Sequence, residues 1–306
     1  MRLVEELTDY KSKENTVLTI GKFDGFHRGH QLLINKINEC SSPEVKRVVL
    51  AFDIGGNYLL SKEEQRDLLR EKVDVLISSP LEDKIRKMPP QKFVEEILVE
   101  RLKVKTLVVG VDFRFGHEKK GNLSLLNKLS KTYGFQINVV PQVEYDGEVI
   151  SSTIIKKKIE EGQVSLANQL LGYEYPISGI VATGKQFGRT LGFPTLNTYP
   201  DANKVLPKFG VYRCKIELMK EQSRYPDEYD GLCNIGIKPT VTDEEKIILE
   251  AHAFDFDEEA YGRMMRIKFL DFIRAECKFN SISELKKQIK KDIIEARKIE
   301  IVKSSK

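Results

Sequence analysis

A glycine-rich segment with two histidines is the first part of the chain that could do chemistry. It reads Gly-Lys-Phe-Asp-Gly-Phe-His-Arg-Gly-His from Gly21 to His30, after the β-prone run Thr16–Ile20 and before the helical run His30–Ile37. Glycines let the backbone approach a ligand closely, and a helix N-terminus presents free N–H groups to phosphate. On a helix His27 and His30 would share one face. The pattern favours a phosphate site over a two-histidine fragment of a metal site or surface histidines, since zinc needs three or four ligands.

A second glycine-rich run, Gly179–Asn197, has the cations Lys185 and Arg189. It is not a Walker loop, because glutamine rather than Ser or Thr follows its Gly-Lys pair. On extended backbone Thr195 and Asn197 point the same way. A hydroxyl and an amide oxygen so placed can hold Mg²⁺ between nucleotide phosphates. The alternative is a plain glycine-rich turn.

Strand-like and helix-like segments alternate through the first half of the chain. Helix signals are a capping box beginning at Ser61, the long run Gln91–Leu102, a segment between the last two strands, and a helix capped by Ser151 or Ser152 that runs through Glu161. The further strand candidates are Arg47–Phe52, Val73–Ile77, Thr106–Val109 and Ile137–Val140. This alternation predicts a parallel sheet covered on both faces, in a Rossmann-like arrangement.

The second half changes its period. Apolar residues alternate in Val211–Leu218 and Met264–Phe269, which predicts half-buried strands of an antiparallel barrel. The end is helical, since a capping box begins at Ser281. An apolar stripe then recurs at Ile282, Leu285, Ile289, Ile293 and Ala296. We place the boundary near Gly172–Pro176, which gives domains 1–172 and 173–306.

The composition excludes several classes of protein. The chain has 306 residues, a formal net charge of +4 and a hydrophobic share of 41%, so its bulk is not disordered. No apolar run is long enough to span a membrane, and the first ten residues do not resemble a signal peptide. The four cysteines are far apart, which favours reduced thiols in a cytoplasmic protein. The mixed charges favour a solvated surface over a nucleic-acid-binding one. We also expect no membrane partner, and a monomer or weak homo-oligomer.

The segment Gly21–His30 resembles the His-x-Gly-His element of nucleotidyltransferases, in particular the bacterial bifunctional riboflavin kinase/FMN adenylyltransferase (FAD synthetase) family. Asp112–Gly116 with Gly121-Asn122 resembles that family's adenine and flavin loop, and Ser151–Lys156 its phosphate-binding element. The resemblance implies that His27 and His30 stabilise the transition state of adenylyl transfer. It also implies ATP or phosphate contacts from Gly21, Phe23, Asp24, Gly25, Ser152, Thr153 and Lys156, and flavin contacts from Asp112, Phe113, Arg114 and Asn122.

The run Gly188–Asn197 with its neighbours resembles the riboflavin kinase signature, Gly-Arg-x-Leu-Gly-Phe-Pro-Thr-x-Asn. Further matches are Gly210-Val211-Tyr212, Asn234–Thr240, Asp255–Asp257, Tyr261-Gly262 and Arg274–Phe279. The resemblance implies that Glu250 takes the proton from the riboflavin 5′-hydroxyl as it attacks ATP. It further implies phosphate contacts from Gly184, Lys185, Gly188 and Arg189, metal contacts from Thr195 and Asn197, and flavin contacts from Arg274 and Glu276.

Together these resemblances imply a Rossmann-like nucleotidyltransferase domain followed by an antiparallel β-barrel riboflavin kinase domain with a C-terminal helix. The substrates would be riboflavin, FMN and ATP, with Mg²⁺. Three positions depart from the family: Asp-Ile-Gly-Gly follows Phe52 where a His-Pro element is usual, Lys156 replaces arginine, and Asn122 replaces a common acid. They motivate the alternative that only the kinase is active. A third hypothesis is a flavin- or nucleotide-binding regulator without turnover.

Overall fold

The computed structural model describes residues 1–183, 188, 191–220, 225–239 and 245–304. The chain forms two compact units, Met1–Ser152 and Thr153–Lys306. The helical stretch 153–172, which the sequence prediction assigns to the first domain, therefore belongs with the second unit in space. Within the described ranges, no helix combines the length and apolar character needed to cross a membrane.

The first unit has a six-stranded sheet in the order β1-β4-β3-β2-β5-β6, with every neighbouring pair parallel. From β2 the chain builds β3 and β4 on one side and then crosses to build β5 and β6 on the other. The strands are β1 (Arg2–Val4), β2 (Thr16–Gly21), β3 (Lys46–Asp53), β4 (Val75–Pro80), β5 (Val104–Gly110) and β6 (Gln136–Val140). The predicted Rossmann-like parallel sheet is confirmed.

Helices of the first unit follow the strands as the alternation predicts. Ser61 caps α2 in a complete capping box with Glu64. The long run after Pro90 is a short α-helix that continues as a π-helix over Phe93–Arg101, where the sequence predicts a uniform helix. The helices are α1 (Arg28–Glu39), α2 (Lys62–Leu69), α3 (Asp83–Arg86), α4 (Pro90–Lys92) and α5 (Leu123–Tyr133), with 3-10 turns at Leu7–Asp9 and His117–Lys119.

The core of the first unit lies on both faces of the parallel sheet. In β2 every residue from Thr16 to Ile20 is buried, as expected when helices cover a parallel sheet on both sides. A small hairpin, β7 (Glu144–Tyr145) and β8 (Glu148–Val149), turns at Asp146-Gly147. Both turn residues have positive φ, which is typical of tight hairpins with an Asp-Gly turn.

The second unit is an antiparallel sheet in the order β10-β13-β12-β11-β14-β9. A bridge between Ala182, two residues after β9, and Asn197 of β10 links the two ends of the sheet, which forms the predicted barrel. The strands are β9 (Tyr175–Ile180), β10 (Leu196–Thr198), β11 (Gly210–Leu218), β12 (Asp227–Pro239), β13 (Glu245–Ala253) and β14 (Met264–Arg274). Helices α6 (Ser152–Glu160), α7 (Val164–Leu171) and α8 (Ile282–Ser304) complete the described elements.

Strand β11 is covered on both faces, so the expectation of a half-buried strand is wrong there. Tyr212, Cys214, Ile216 and Leu218 fill the barrel interior with no exposed surface. On the opposite face, Arg213 is only 8% exposed and pairs with Asp271 at 2.9 Å. Glu217 pairs there with Arg266 and Lys268. The outer face is therefore buried beneath ion pairs, which the alternation of apolar residues does not reveal.

Helix α8 packs on the outside of the barrel through part of its predicted stripe. Ala296 is 1% exposed and lies in a small core with Val211 and Phe254, against which Ile293 packs. Ile282 is 56% exposed, so its assignment to the packed stripe is wrong. The first turn of the helix is capped instead, because Ser281 Oγ accepts the N–H of Glu284 at 3.2 Å.

Candidate active sites

The first site lies at the point where the order of strand addition reverses, between β2 and β5. The loops after β2, β3 and β5 all leave the same edge, because these strands are parallel neighbours. In open α/β sheets ligands bind at the carboxyl ends of the strands beside such a switch point. The structure thus brings together the loop 22–27, the loop 54–60 and the segment Asp112–Arg114.

Two phenylalanines hold the loop after β2 in an unusual backbone conformation. Phe23 and Phe26 have φ of 48° and 39°, and Gly25 has φ of 86°. Both phenylalanine side chains are fully buried, and their rings stack at 5.1 Å. Positive φ is costly for bulky residues and persists where packing overdetermines it. The loop therefore has a fixed shape, which presents its backbone and His27 at the start of α1.

His27 and His30 form a stacked imidazole pair. His27 is the N-cap residue of α1, and the two ring centroids are 3.8 Å apart at an angle of 24°. Burial lowers the pKa of His27 to about 4, and the Asp24 carboxylate offsets this in part. Burial also lowers the pKa of His30, and the neighbouring His27 lowers it further. Both rings are thus neutral at pH 7, and bound polyphosphate would raise their pKa values by attraction.

One nitrogen of each imidazole ring lacks a hydrogen-bond partner within the described residues. These nitrogens are Nδ1 of His27 and Nδ1 of His30, and both are buried. Gly29 contributes to this close arrangement, because a Cβ at that position would lie 3.2 Å from the His27 ring. Buried polar atoms without partners are rare and call for an explanation. An anion at the N-terminus of α1 would supply one.

Asp24 connects three loops of the first site. Its Oδ1 accepts the Leu59 N–H at 2.7 Å, and its carbonyl oxygen accepts the Ser152 hydroxyl at 2.7 Å. Ser152 is therefore joined to the loop that precedes His27. Thr153 and Lys156 follow on the first turns of α6, three residues apart on neighbouring positions of the helix surface.

The segment after β5 is partly exposed, and its contacts are mostly local. Phe113 stacks on Phe115 at 5.6 Å, and Arg114 donates to the Phe113 carbonyl at 3.1 Å. Asp112 accepts a hydrogen bond of 3.4 Å from Gln142. Asn122 has a clear structural role, because its Oδ1 accepts the Leu125 N–H at 2.9 Å and caps α5.

The second site is a row of side chains across three neighbouring strands. In the register of the sheet Glu250 of β13 faces Asn197 of β10 on one side and Asn234 of β12 on the other. Residues directly opposite in antiparallel strands share one face, with Cβ atoms about 4.5–5.5 Å apart. The fold therefore places a carboxylate between two amides that are distant in sequence.

Asn197 has the properties of a metal ligand. It is 9% exposed, and its Oδ1 has no hydrogen-bond partner within the described part of the chain. Thr195 lies two residues earlier, where β10 begins, so its hydroxyl can serve the same face. A hydroxyl and an amide oxygen are donors that suit Mg²⁺, and the orphaned amide oxygen supports this fit. Among the described residues no group of three or more His, Cys, Asp and Glu is placed to hold a metal.

The glycine-rich run before Thr195 is described only in part. Gly184, Lys185 and Arg189 lie outside the described residues. Gly188 packs under the following turn, where its carbonyl accepts the Phe193 N–H at 2.9 Å. A Cβ at Gly188 would lie 2.4 Å from the Phe193 carbonyl oxygen and 3.2 Å from Thr195 Oγ1. A larger residue would not fit at Gly188, and the close packing sets its backbone beside Thr195.

A small cavity adjoins Thr195 on the outer strands of the barrel. Its volume is about 150 Å³, and acidic and aromatic side chains from the turn after β13 form one wall. Its lining includes Thr195, Ala253, Phe256, Asp257, Glu258 and Tyr261. The segments Asp255–Asp257 and Tyr261-Gly262, which resemble the kinase family, therefore border the same cavity as Thr195 through Phe256, Asp257 and Tyr261.

Arg274 and Glu276 lie beside the row of side chains but differ in their partners. Glu276 Oε1 accepts a hydrogen bond of 3.2 Å from Asn234 Nδ2. Arg274 points to α8 and makes a bidentate ion pair with Asp292, which is 2% exposed. The sequence motifs include Asn234 without giving it a role at the site, and they do not include Asp292. A signal for Asp292 existed, because this acid lies on the apolar side of α8, four residues before Ala296.

Comparisons with known proteins cover both units. The riboflavin kinase family model matches residues 171–300, and the FAD synthetase model matches residues 9–154. Curated relatives include the bifunctional riboflavin kinase/FMN adenylyltransferases of Buchnera aphidicola (32% identity, 96% of this chain and 97% of that one) and Haemophilus influenzae (34% identity, 93% and 94%). The relative from Escherichia coli is 35% identical over 93% of both chains.

A solved structure has the same fold over nearly the whole length. It is described as a macrolide-efflux protein from Streptococcus pneumoniae, and it matches with a TM-score of 0.83 and 28% identity, covering 96% of this chain and 98% of that chain. That description concerns the solved protein. The two family models and the full-length relatives show that the chain belongs to the bifunctional riboflavin kinase/FMN adenylyltransferase family.

Proposed function

We propose that this chain makes FAD from riboflavin in two steps at two sites. In the second unit riboflavin and ATP give FMN and ADP, and in the first unit FMN and a second ATP give FAD and pyrophosphate. Both family models and the bifunctional names of the full-length relatives support the two activities together. We assign residues 1–172 to the adenylyltransferase and 173–306 to the kinase.

In the kinase step Glu250 accepts the proton of the riboflavin 5′-hydroxyl as its oxygen attacks the γ-phosphorus of ATP and ADP leaves. The observation that carries this assignment is the row in which Glu250 faces Asn197 and Asn234. Thr195 and Asn197 would hold Mg²⁺, which when bound neutralises phosphate charge. Gly184, Lys185, Gly188 and Arg189 would contact the phosphates. Positioning dominates phosphoryl transfer, so a carboxylate suffices as the base.

In the adenylyl transfer step a phosphate oxygen of FMN attacks the α-phosphorus of ATP, and pyrophosphate leaves. His27 and His30 would hydrogen-bond the charge that develops on the phosphoryl group, since their Nδ1 atoms lack partners within the described residues. Gly21, Phe23, Asp24 and Gly25 would shape the loop that receives the triphosphate. Ser152, Thr153 and Lys156 would bind it, and Asp112, Phe113 and Arg114 would contact the flavin. The family resemblance adds Asn122 to the flavin contacts, although its side-chain oxygen already caps α5.

A kinase without adenylyltransferase activity is the second candidate, and the loop after β3 motivates it. Asp53 folds back to accept the Gly55 N–H at 2.8 Å, and Gly55 and Gly56 both have positive φ. This loop occupies the position of the missing His-Pro element at the edge of the first site. Lys156 also lacks the planar fork with which arginine binds phosphate.

Chromatography of the products from riboflavin plus ATP and Mg²⁺ separates the candidates. FAD would support the two-step enzyme, and FMN alone, with no FAD from supplied FMN, would support the kinase. Release of neither FMN nor ADP would favour a regulator that only binds flavin or nucleotide. Further proposals are a cytoplasmic protein with small-molecule substrates, without nucleic-acid or membrane partners, and either monomeric or weakly self-associating.

A further inference from the structure

A buried carboxylate on α8 has no role in the proposed reactions. Asp292 is 2% exposed, although isolated acids are rarely buried. It accepts hydrogen bonds from Arg274 Nε at 3.0 Å, from Arg274 Nη2 at 2.9 Å and from Gln288 Nε2 at 2.8 Å. Burying the Asp292 carboxylate costs desolvation energy, and a buried ion pair is weak evidence for a role in stability. The pair therefore calls for a purpose other than stability.

Arg274 is the centre of the turn that follows β14. Besides its contacts with Asp292, its Nη1 donates to the Ala275 carbonyl at 3.0 Å and to Cys277 Sγ at 3.2 Å. These contacts engage four of the five N–H donors of the guanidinium. The side chain is thus committed to holding the turn 274–277 against α8, and it is poorly placed to bind a ligand as well.

The turn delivers Glu276 to the row of side chains at the kinase site. Glu276 Oε1 accepts the hydrogen bond from Asn234, which faces Glu250 in the sheet register. Gly236 leaves the room for this approach, because a Cβ there would lie 2.1 Å from Glu276 Oε1. Two carboxylates are thereby set on either side of one amide, next to the hydroxyl that Glu250 is proposed to deprotonate.

We propose that Asp292 is a positioning residue for riboflavin, the acceptor substrate of the kinase step. This inference rests on the proposed function. Asp292 fixes Arg274, Arg274 fixes the turn 274–277, and the turn sets Glu276 beside Asn234. Arg274 then acts through Glu276 rather than by touching the flavin, contrary to the expectation from the family resemblance. A group held in this way orients a polyhydroxyl substrate, and a small displacement of it weakens binding of that substrate.

Steady-state kinetics of Asp292→Asn test the inference. The riboflavin KM, and the riboflavin Kd measured by flavin fluorescence, should rise on the order of tenfold. The KM for ATP and the formation of FAD from supplied FMN should change by less than about twofold. The matched control is Glu295→Gln, an exposed acid on the same helix, which should leave riboflavin binding unchanged. A lower kcat with unchanged riboflavin KM and Kd would indicate mere loss of folded enzyme and would overturn the proposal.

Two further variants keep the test decisive. Arg274→Lys retains the charge but loses the bidentate fork, so it should raise the riboflavin Kd in a protein with nearly normal Tm. In Asp292→Asn combined with Glu276→Gln, the effects on Kd should not multiply, because both act through one group. An unchanged Kd in folded Arg274→Lys, or fully multiplicative effects, would contradict the inference. A wild type that binds riboflavin but makes no FMN would refute only the proposed function; one that binds no riboflavin would refute both.

Discussion

The two sites are built from different features of the backbone. The first consists of loops and a helix N-terminus at the edge of a parallel sheet, and buried rings hold its shape in positive-φ conformations. The second consists of side chains aligned by the register of an antiparallel barrel. In the first, backbone groups and imidazoles are the functional parts. In the second site the functional parts are a carboxylate and amides on strands of the barrel. Single side-chain changes there should therefore leave the backbone of the barrel intact.

Glu250→Gln should have the largest effect on activity, and it should impair only the second site, on the strands of the barrel. The amide keeps the size of the side chain but removes the base, so FMN formation should fall by about 10²–10⁴-fold. FAD formation from supplied FMN should stay at the wild-type rate. The two rates, measured by chromatography on the same preparation, check this. A parallel loss of both would contradict separate sites.

His27→Ala is the corresponding experiment for the first site, at the edge of the parallel sheet. Removing a hydrogen-bond donor aimed at developing charge typically costs about 10²–10³-fold in rate, so FAD formation should fall by that factor. FMN formation should be unaffected. His117→Ala, in an exposed part of the same unit, serves as the control. An active His27→Ala enzyme would remove the imidazole pair from the mechanism.

The stability of the folded chain at low pH also distinguishes the two sites, because burial keeps the imidazoles of the first site neutral. The pKa of His27 is lowered from 6.5 to about 4. Well above pH 6.5 the His27 imidazole is unprotonated in both the folded and the unfolded chain. As the pH falls from 6.5 towards 4, the unfolded chain binds a proton that the folded chain does not, so stability is lost in this window. The loss from His27 should be roughly 2–3 kcal/mol at pH 4.5.

Urea unfolding of the wild type and His27→Gln at pH 7 and pH 4.5 measures this loss. The variant should lose less stability between the two pH values, because its side chain does not titrate. His117→Gln should behave like the wild type. Equal losses in all three proteins would mean that His27 titrates normally in the folded state.

The sequence predicts local features of these sites better than long-range ones. The three-residue spacing of His27 and His30 predicts that their side chains lie close together, and the structure stacks the two rings although His27 is the N-cap residue and not part of α1. The alternation of residues identifies β11 and β14, but it does not show which strands are neighbours. The approach of Glu250 to Asn197 and Asn234 depends on that pairing, so a motif alone could not give it.

Helix α8 shows the same limit. The periodic stripe places Ile282 on the same apolar face as Ala296, yet Ile282 is exposed in the first turn of the helix. The buried Asp292 interrupts the apolar stripe, and the sequence alone does not show its partner, which is Arg274 at the end of the preceding strand. Local periodicity therefore identifies the element, and tertiary packing decides which of its positions matter.

The smallest expected effect concerns Asn122, where the family resemblance and the local geometry differ. Its side chain caps α5 through the Leu125 N–H at 2.9 Å. Asn122→Ala should therefore lower the free energy of unfolding by about 1 kcal/mol, the usual cost of a lost N-cap. Asn122→Asp and Asn122→Ser should restore it, because both side chains are good caps.

The FMN dependence of FAD formation separates the cap from a flavin contact. If Asn122 acts as a cap, the KM for FMN stays unchanged in all three variants once the folded fraction is matched. If its amide binds the flavin, that KM rises in Asn122→Ala, and Asn122→Ser does not correct it although the helix is capped again. The structure favours the first outcome, because the side-chain oxygen already accepts a backbone N–H. Asn122 would then join Arg274 as a residue that shapes its site without touching the substrate.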